Sequence, residues 1–444
     1  MALSVSSGFL PHASAAEVEA QAANYQLVRL INNGHFWPWY ASNPGGTPVG
    51  DEAGNPRGFR LPTPGNGTWR SPGTIANFSA SCWFFGADVF DALGGVVPIG
   101  LIDNSAGGTS IHYWCSQDAI DQCSQVTPSS NVTDDGVGVL FEAMIAPLAR
   151  VPLRGVLWFQ GESNACGYHA PGAPCGGAFY ACQLRAMISD WRAKLSQPAL
   201  PFLAIELCAL EEPQWPNMRA AQQAAVAGLA NAATVPNHDL GDNNDMHSRR
   251  KAMLGRRQAL WMLGAAYGDA AAPWSGPVLE SAQVAVEAGG AGVAVTLAFT
   301  AASSAGLHLN ATAQCAASQP AGTCCGDGSS PVFLRVANAS AADGSGWSWA
   351  RTAMPTVDAG AGTLRATLAN ASEVSLARVR FSFEPYPLCA LYNGQGGPDG
   401  GDALVAEPWD VALDAAGGAT PVPVPACIFP CPEAGLPADC CGPQ

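Results

Sequence analysis

Short apolar runs alternate with helical patterns through the first 270 residues, and this alternation constrains the fold more than any other feature. The pattern predicts strands at Tyr25–Ile31, Val96–Asp103 and Val156–Phe159. It predicts a buried helix at Asn77–Leu93, between the first two strands. Strands that alternate with helices are typical of a parallel sheet covered by helices on both faces. We therefore expect a doubly wound, flavodoxin-like α/β/α domain over residues 1–270.

The pattern changes near Ala270. Runs that alternate with a period of two follow, separated by Gly, Ser and Asn turns, at Gln283–Glu287, Gly292–Thr300, Val332–Val336, Leu364–Leu368 and Ala377–Phe383. Such runs are typical of antiparallel strands with one buried face. We predict a small antiparallel β domain over 271–398 and a Pro/Gly/Cys-rich tail over 399–444.

The composition argues against two classes of partner. The formal net charge is −15, and charged residues make up only 12% of the chain. A nucleic-acid-binding protein needs a basic surface for the phosphates, so nucleic acid is not expected as a partner. No apolar run approaches the roughly 20 residues that a membrane span requires.

Fifteen cysteines indicate disulfides and an oxidising compartment. Zinc is the competing interpretation, but no Cys/His array with zinc-finger spacing is present. Cys115 and Cys123 bracket a loop and are a plausible local bridge. Six glycosylation sequons support the same compartment, at Asn66, Asn77, Asn131, Asn310, Asn338 and Asn370. The protein is therefore expected to be a secreted or lysosomal glycoprotein. Met1–Ala15 is a poor signal peptide, which places the expected natural N-terminus upstream of Met1.

Three polar stretches follow predicted strands or open a helix. They are Asn104–Thr109, Gln160–Asn164 and Asp242–His247. Each alone would more often be an ordinary strand-to-loop turn. Because open α/β sheets keep their sites at the carboxyl ends of strands, three such stretches favour one shared site.

His247 is the strongest candidate for a catalytic base, because carboxylates precede it and a nearby carboxylate can hold a histidine in the required tautomer. A helix-capping or surface histidine is an equally good interpretation of the local sequence. The side chain of Gln160 and the backbone at Gly107 and Gly108 are suitable donors to an oxyanion. A Gly-x-Ser-x-Gly elbow, a His-Glu-x-x-His motif, a P-loop and a dinucleotide fingerprint are all absent from the sequence. The nucleophile must therefore come from elsewhere.

The motifs Trp158–Asn164, Pro98–Thr109 and Asp239–His247 together resemble the sialate O-acetylesterases of the SGNH hydrolase superfamily. The resemblance extends from Met1 to about Asn393. It implies hydrolysis of O-acetyl esters on sialic acids by serine attack and an acetyl-enzyme, with no metal and no cofactor. The tail after Asp399 lies outside it.

The resemblance also implies a role for four residues. His247 is the base, Gly107 and Gln160 form the oxyanion hole, and Asp245 is the carboxylate partner of the histidine. In the superfamily the acid usually lies three residues before the histidine, whereas Asp245 lies two before His247.

One departure concerns the nucleophile. The family nucleophile is the serine of a Gly-Gln-Ser-Asn-Met motif that ends the first strand, and Met1 falls on the methionine of that motif. The serine and its strand are therefore absent, and this chain alone is expected to be inactive. Ser4, Ser6, Ser7 and Ser105 are expected to be structural.

Three hypotheses follow from the sequence. The first is a sialate O-acetylesterase whose sequence here begins at an internal methionine. The second is a non-catalytic homologue that binds acetylated or sialylated glycans. The third is an esterase for acetylated xylan or another polysaccharide. An in-frame Gly-Gln-Ser-Asn upstream of the Met1 codon would exclude the second.

Overall fold

The computed structural model describes residues 15–36, 68–128, 136–166, 175–241, 245–269 and 274–419. The last range has gaps at 288–291, 319–323, 327, 339–347, 370–373, 395, 398–399, 402 and 414–417. The chain divides into two compact units that are not consecutive in sequence. The first comprises Met1–Ile205, Gly228–Thr234 and His247–Ala272, and the second comprises Glu206–Ala227, Val235–Met246 and Pro273–Gln444.

The described residues form α-helices, short 3-10 turns and strands. The helices are α1 (Ala15–Ala22), α2 (Ala80–Ala92), α3 (Gln117–Asp121), α4 (Gly177–Lys194), α5 (Trp215–Val226), α6 (Lys251–Tyr267) and α7 (Ala313–Ser318). The strands up to residue 235 are β1 (Val28–Phe36), β2 (Ile99–Ala106), β3 (Val156–Trp158), β4 (Phe202–Ile205) and β5 (Ala232–Val235). The later strands of four or more residues are β6 (Leu279–Val286), β7 (Gly292–Phe299), β8 (His308–Ala311), β9 (Val332–Asn338), β10 (Ser348–Arg351), β12 (Thr363–Ala369), β13 (Val374–Phe381), β14 (Cys389–Tyr392) and β17 (Trp409–Ala412). The shorter ones are β11 (Thr356–Asp358), β15 (Gly396–Gly397), β16 (Gly400–Gly401) and β18 (Gly418–Ala419).

The strands up to residue 235 form two sheets. β1 and β2 are parallel, with Val28 opposite Ile99 and Leu30 opposite Leu101. The other sheet has the order β3-β4-β5, and β3 is parallel to β4. Parallel strands that alternate with helices confirm the predicted α/β class. The sheet is not continuous among the described residues, because β2 and β3 are each the edge strand of a separate sheet.

Helices α4 and α6 lie on opposite faces of β3. The ring of Trp158 packs edge-on against Trp191 of α4, with ring centroids 5.7 Å apart. The next residue, Phe159, lies under the ammonium group of Lys251 of α6, 4.6 Å from the ring centroid. Successive side chains of an extended chain point to opposite faces, so these two contacts place the two helices on opposite sides.

Helix α2 packs closely on α6. A Cβ atom at Gly255 of α6 would lie 2.7 Å from the backbone nitrogen of Phe85, so only glycine permits this approach. Buried Ser81 and Gln258 share hydrogen bonds across the same helix pair. The side chain of Ser79 caps α2 by accepting a bond from the backbone N–H of Cys82. The predicted helix is thus confirmed, and it begins at Ala80 instead of Asn77.

The second unit contains the β structure that was predicted after residue 270. One sheet has the order β11-β12-β7-β6-β18 and another has the order β10-β9-β13-β17. Their apolar faces share one core. Its fully buried residues include Val295, Leu297, Leu334, Val379 and Phe381. This is the packing of two antiparallel sheets face to face.

Four disulfides are present among the described residues, and one predicted pair is wrong. The bridges are Cys123–Cys182, Cys166–Cys175, Cys315–Cys324 and Cys325–Cys389. Cys115 is a buried free thiol instead of the partner of Cys123. Cys123 lies in the turn after α3, and its partner Cys182 lies in the first half of α4. The bridge therefore joins residues that are 59 positions apart, instead of closing the short loop between Cys115 and Cys123.

Candidate active site

The loops that follow β2 and β3 are hydrogen-bonded to each other. The side-chain nitrogen of Gln160 donates to the carbonyl oxygen of Thr109 at 3.1 Å and to Oδ1 of Asn164 at 2.8 Å. The same Oδ1 accepts a bond from the backbone N–H of Ile111 at 2.9 Å. The hydroxyl of Ser110 donates to the carbonyl oxygen of Ser163 at 3.1 Å. The carboxyl ends of β2 and β3 therefore meet at one place, as the sequence predicted for two of the three polar stretches.

Gln160 is buried and held from both ends. The backbone carbonyl oxygen of Gln160 accepts a bond from the hydroxyl of Tyr180 at 2.8 Å. That hydroxyl in turn accepts a bond from the indole nitrogen of Trp158. Both hydrogens of its side-chain amide are used in the bonds to Thr109 and Asn164. In this arrangement the amide fixes the loops and has no hydrogen left for an oxyanion. The oxyanion role of Gln160 stays a prediction that requires the amide to exchange one of these partners.

Gly107 lies in the turn that follows β2. Gly108 beside it has a φ of +72°, a left-handed conformation that favours glycine. Thr109 closes the turn, because its hydroxyl donates to the carbonyl oxygen of Ala106 at 2.7 Å and accepts from the indole nitrogen of Trp114 at 3.0 Å. A turn fixed in this way holds the backbone N–H groups at Gly107 and Gly108 in one orientation. Preorganised backbone donors are what an oxyanion hole requires.

Asp103 and Ser105 form a polar pair on β2. The hydroxyl of Ser105 donates to Asp103 at 2.6 Å, and the backbone N–H of Ser79 donates to the other carboxylate oxygen at 3.1 Å. Asp103 is 4% exposed, so these bonds satisfy a buried carboxylate at the start of α2. The contact supports the structural role that was predicted for Ser105.

His247 lies in the first unit, four residues before the start of α6, and its side chain is half-buried. Lys251, the first residue of α6, lies over the ring of Phe159, the residue directly before Gln160. This contact brings the start of α6 to the carboxyl end of β3. The segment that carries His247 therefore approaches the end of the sheet that carries Gln160.

The carboxylates near His247 are placed differently from one another. Asp245 is half-buried and belongs to the second unit, two residues before His247 in sequence. Asp239 is fully buried in the second unit, where it accepts a bond from the hydroxyl of Tyr392 at 3.0 Å. Asp242 lies outside the described residues. Asp245 as the partner of the histidine therefore stays a prediction.

A cavity of about 560 Å³ lies between β2 and β3 and reaches Gly107, Gly108 and Gln160. Ile99–Ala106 line one side, and Val156–Trp158 line the other. Its walls include Phe85 of α2 and Met262 of α6 on one face and Trp191 of α4 on the other. The lining is mainly apolar along the strands and becomes polar at their carboxyl ends.

Neither a membrane-spanning helix nor a cluster of metal ligands is found in the described part of the chain. None of the described helices has both the length and the apolar character to cross a membrane. Within the same part of the chain, no group of three or more His, Cys, Asp or Glu side chains is placed to hold a metal ion.

Asn164 and Tyr180 are the residues at this site that the sequence did not single out for a role. Asn164 is 0% exposed and receives two hydrogen bonds, and Tyr180 is equally buried. Asn164 could have been found from the sequence, because its side-chain amide belongs to the polar stretch that follows β3. Tyr180 had no such signal, because it lies on α4 and reaches Gln160 only through the fold.

Comparison with known proteins agrees with the motifs. Residues 71–264 match the family model described as carbohydrate esterase, sialic acid-specific acetylesterase. The chain is 30% identical over 239 residues to a sialate O-acetylesterase of Homo sapiens, which covers 48% of this chain and 44% of the relative. It is 29% identical over 271 residues to the sialate O-acetylesterase of Rattus norvegicus. That match covers 49% of this chain and 47% of the relative. The chain thus spans less than half the length of the curated relatives it matches.

A solved structure extends the similarity to most of the chain. A carbohydrate acetylesterase from Xanthomonas citri superposes with a TM-score of 0.61 at 21% identity, covering 93% of this chain and 79% of that chain. At this level of identity the match shows the fold. It confirms the predicted combination of an α/β domain and a β-rich region.

Proposed function

We propose that this chain, as a relative of the sialate O-acetylesterases, carries the base and oxyanion side of a carbohydrate O-acetyl ester hydrolase, whose substrate is an O-acetylated sialic acid. The observation that carries the proposal is the joined end of β2 and β3, where the turn at Gly107 and the side chain of Gln160 are held together by Thr109 and Asn164. The match of residues 71–264 to a sialic acid-specific acetylesterase family supports it.

Each residue has a defined role in the proposed reaction. A serine Oγ attacks the acetyl carbonyl carbon while His247 takes its proton, and Asp245 stabilises the imidazolium that forms. The backbone at Gly107 stabilises the charge on the carbonyl oxygen, and the amide of Gln160 does so by exchanging its bond to Thr109 or Asn164 for one to that oxygen. His247 then returns the proton to the departing sugar oxygen, which leaves an acetyl-serine. Water hydrolyses this ester in the second half-reaction, with His247 again as base.

The serine in this proposal is not one of those in the sequence. Ser105 donates its hydroxyl to Asp103 at 2.6 Å and is part of β2. Ser4, Ser6 and Ser7 lie outside the described residues. We assign the nucleophile to a segment that is not among these 444 residues, so the chain alone lacks turnover.

The test measures acetate released from 9-O-acetylated sialic acid and from acetylated xylan. The 444-residue chain is expected to show no release above that of its His247→Ala variant. The same chain, extended by the natural upstream segment with its serine, is expected to release acetate from the sialic acid. In that form His247→Ala should lower kcat by about 10³-fold or more. His308→Ala, in the second unit, is the matched control and should have no effect.

Each other outcome contradicts a defined part of the proposal. Turnover of the 444-residue chain above the His247→Ala level would make one of its own serines the nucleophile. Faster release from xylan would assign a polysaccharide ester as substrate. Glycan binding without any acetate release, in the extended form, would establish a non-catalytic glycan-binding protein.

The proposal includes a secreted or lysosomal location. Four disulfides lie within the described residues, and disulfides form and persist mainly in oxidising compartments. Among the six sequons, Asn310 lies on β8, where its side chain is half-buried and accepts a bond from the N–H of Ala311. Loss of mass on treatment of the natural protein with an N-glycosidase would test the glycoprotein assignment.

A further inference from the structure

We propose that the second unit positions the catalytic histidine, because Tyr392, Gln314 and Cys208 hold the stretch of chain that leads directly into His247. This stretch, named the approach segment, comprises residues 237–246, of which 242–244 lie outside the described residues. The inference rests on the proposed function for the role of His247. The hold on the approach segment rests on contacts within the second unit alone.

The first anchor holds the start of the approach segment through α7 and β14. The side-chain nitrogen of Gln314 donates to the carbonyl oxygen of His238 at 2.7 Å, and the backbone N–H of Ala313 donates to the carbonyl oxygen of Asp239 at 2.9 Å. The hydroxyl of Tyr392 donates to the carboxylate of Asp239 at 3.0 Å. All five residues are buried. Because a buried polar group that loses its partner keeps its full desolvation cost, these bonds oppose displacement of the segment.

Two disulfides join the elements that carry this anchor. The bridge Cys315–Cys324 begins on α7, the bridge Cys325–Cys389 ends on β14, and positions 324 and 325 are adjacent. A bridge limits the separation of the backbones it joins, here to Cα distances of 5.9 and 5.2 Å. The amide of Gln314 also donates to the carbonyl oxygen of Pro387 at 2.6 Å, two residues before β14. α7 and β14 therefore act on the approach segment as one support.

The second anchor is formed by Cys208 and Ala209, which lie between β4 and α5 in the sequence. The thiol of Cys208 donates to the carbonyl oxygen of Met246 at 3.0 Å. Gly241 lies so close to Ala209 that a Cβ atom at position 241 would be 3.0 Å from the carbonyl oxygen of Ala209 and 3.1 Å from its backbone nitrogen. The second anchor thus contacts the approach segment on both sides of residues 242–244.

The bond to Met246 acts on His247 through the peptide bond. The carbonyl group of Met246 and the N–H and Cα of His247 belong to one planar peptide group. A partner on the carbonyl oxygen therefore limits rotation of the plane that carries the histidine. A base displaced by about 1 Å can cost on the order of 10² in rate. Cys208, Gln314 and Tyr392 are thus positioning residues, which act on the reaction through the approach segment.

The first experiment measures amide hydrogen exchange in the 444-residue chain and in its Tyr392→Phe variant, which loses only the hydroxyl. Exchange in residues 238–247 is expected to be about tenfold faster in the variant, relative to the amides of β7 in the core of the same unit. The reference to β7 removes changes in global stability. Tyr25→Phe is the matched control, because the hydroxyl of Tyr25 also donates to a carboxylate, that of Asp91 at 2.9 Å, and both residues lie in the first unit. Exchange that is unchanged relative to β7 in Tyr392→Phe would overturn the inference.

A second control separates the hydroxyl of Tyr392 from the packing of its ring. The ring of His308 stacks on that of Tyr392, with ring centroids 5.8 Å apart. His308→Ala leaves the hydroxyl of Tyr392 beside Asp239, so exchange in the approach segment is expected to equal that of the parent. Equal acceleration by His308→Ala and Tyr392→Phe would assign the effect to packing and overturn the role of the hydroxyl.

The disulfide support is tested by replacing both Cys325 and Cys389 with serine. Exchange in the approach segment is expected to accelerate relative to β7, because α7 and β14 can then separate. Replacing both Cys123 and Cys182 with serine is the matched control, since that bridge spans 59 positions, against 64 for Cys325–Cys389, and lies in the first unit. Equal exchange in the two double variants would overturn the support assigned to the bridge.

The positioning role is tested by kinetics in the extended chain of the proposed function. Tyr392→Phe and Cys208→Ala are each expected to lower kcat about tenfold with KM unchanged, because a displaced base affects the transition state and not substrate binding. The midpoint of the acid limb of kcat/KM should also move to lower pH, because a displaced imidazole loses the stabilisation that Asp245 gives its charged form. Cys208→Ser keeps a donor for the carbonyl oxygen of Met246 and is expected to recover most of the rate.

The kinetic outcomes distinguish positioning from stability. A smaller fraction of folded enzyme lowers kcat but leaves the midpoint of the acid limb where it was. A fall in kcat with an unmoved midpoint would therefore assign a purely structural role and overturn the inference. Cys208→Ser that is no faster than Cys208→Ala would do the same for the second anchor.

The two kinds of measurement separate this inference from the proposed function. If the extended chain releases no acetate, the proposed function fails, and hydrogen exchange alone decides whether the second unit holds the approach segment. If the extended chain is active while exchange and the midpoint of every variant equal those of the parent, the positioning inference fails alone.

Discussion

The side-chain amide of Gln160 donates a 3.1 Å hydrogen bond to the carbonyl oxygen of Thr109 and thereby joins the ends of two strands that belong to separate sheets. Asn164 accepts from the same amide. A residue that was selected from the sequence as an oxyanion donor is thus also what positions the loop carrying Gly107. The loop-positioning role predicts that loss of the amide lowers stability, whereas the oxyanion role alone does not.

Gln160→Ala is expected to lower the free energy of unfolding by about 1–3 kcal/mol, because the buried carbonyl oxygen of Thr109 then loses its donor. Urea unfolding of the chain measures the change. Gln117→Ala is the matched control, because Gln117 is exposed and its side chain bonds to Asp121 of its own helix. Equal stability of the two variants would show that the amide of Gln160 does not hold the loops.

The second unit contains a buried ion-pair cluster. Asp410 has a fully buried side chain and accepts bonds from Arg378 at 2.7 Å and Arg380 at 2.8 Å. Arg380 also lies 3.8 Å over the ring of Trp349 and 4.5 Å over that of Phe383. The side chain of Arg380 is 4% exposed and therefore largely desolvated, and the carboxylate of Asp410 is a buried counter-charge in contact with it.

Asp410→Ala is expected to lower the free energy of unfolding by about 3 kcal/mol or more, because it removes a buried carboxylate that is paired with a buried guanidinium. Arg365→Ala is the control, since Arg365 pairs with Glu287 at the surface, where such pairs contribute about 0–1 kcal/mol. Chemical denaturation followed by tryptophan fluorescence compares the two. A loss below 1 kcal/mol for Asp410→Ala would contradict the contribution assigned to this cluster.

The disulfide pairing gives a third prediction. A non-reduced proteolytic digest is expected to yield a linked peptide pair containing Cys123 and Cys182 and none containing Cys115 and Cys123. Replacing both Cys123 and Cys182 with serine should lower the free energy of unfolding by about 2–4 kcal/mol. Recovery of a Cys115–Cys123 peptide would instead support the pairing that sequence spacing favours.

The sequence predicts what depends on local periodicity. The runs at Val96–Asp103 and Gln283–Glu287 have the spacing of strands and form β2 and β6. Spacing alone could not find the partner of Cys123, which lies 59 residues away on α4. The same limit applies to Tyr180, because its contact with Gln160 exists only after α4 has packed against β3.

The chemistry of the site was predictable only in part. The polar residues after β2 and β3 indicated a shared site, and the structure brings these two loops together. How the two hydrogens of the Gln160 amide are used depends on Thr109 and Asn164, whose positions no local pattern gives. Asp239 likewise appeared to be one of several carboxylates near His247, whereas it bonds to Tyr392, 153 residues away.

Asp88 on α2 gives a prediction of pH dependence. Burial raises the pKa of its carboxyl group to about 6, with an opposing effect from Arg256. Between about pH 4 and pH 6 the unfolded chain releases a proton that the folded chain retains, so the free energy of unfolding falls as pH rises through this window. Asp88→Asn removes the ionisation, and the variant should gain stability relative to the parent on the order of 1 kcal/mol between pH 4 and pH 7 after allowance for partial exposure. Thermal unfolding across this pH range measures the difference, with the exposed Asp121→Asn as control. A difference between variant and parent that stays constant from pH 4 to pH 7 would show that Asp88 ionises alike in the folded and unfolded chains.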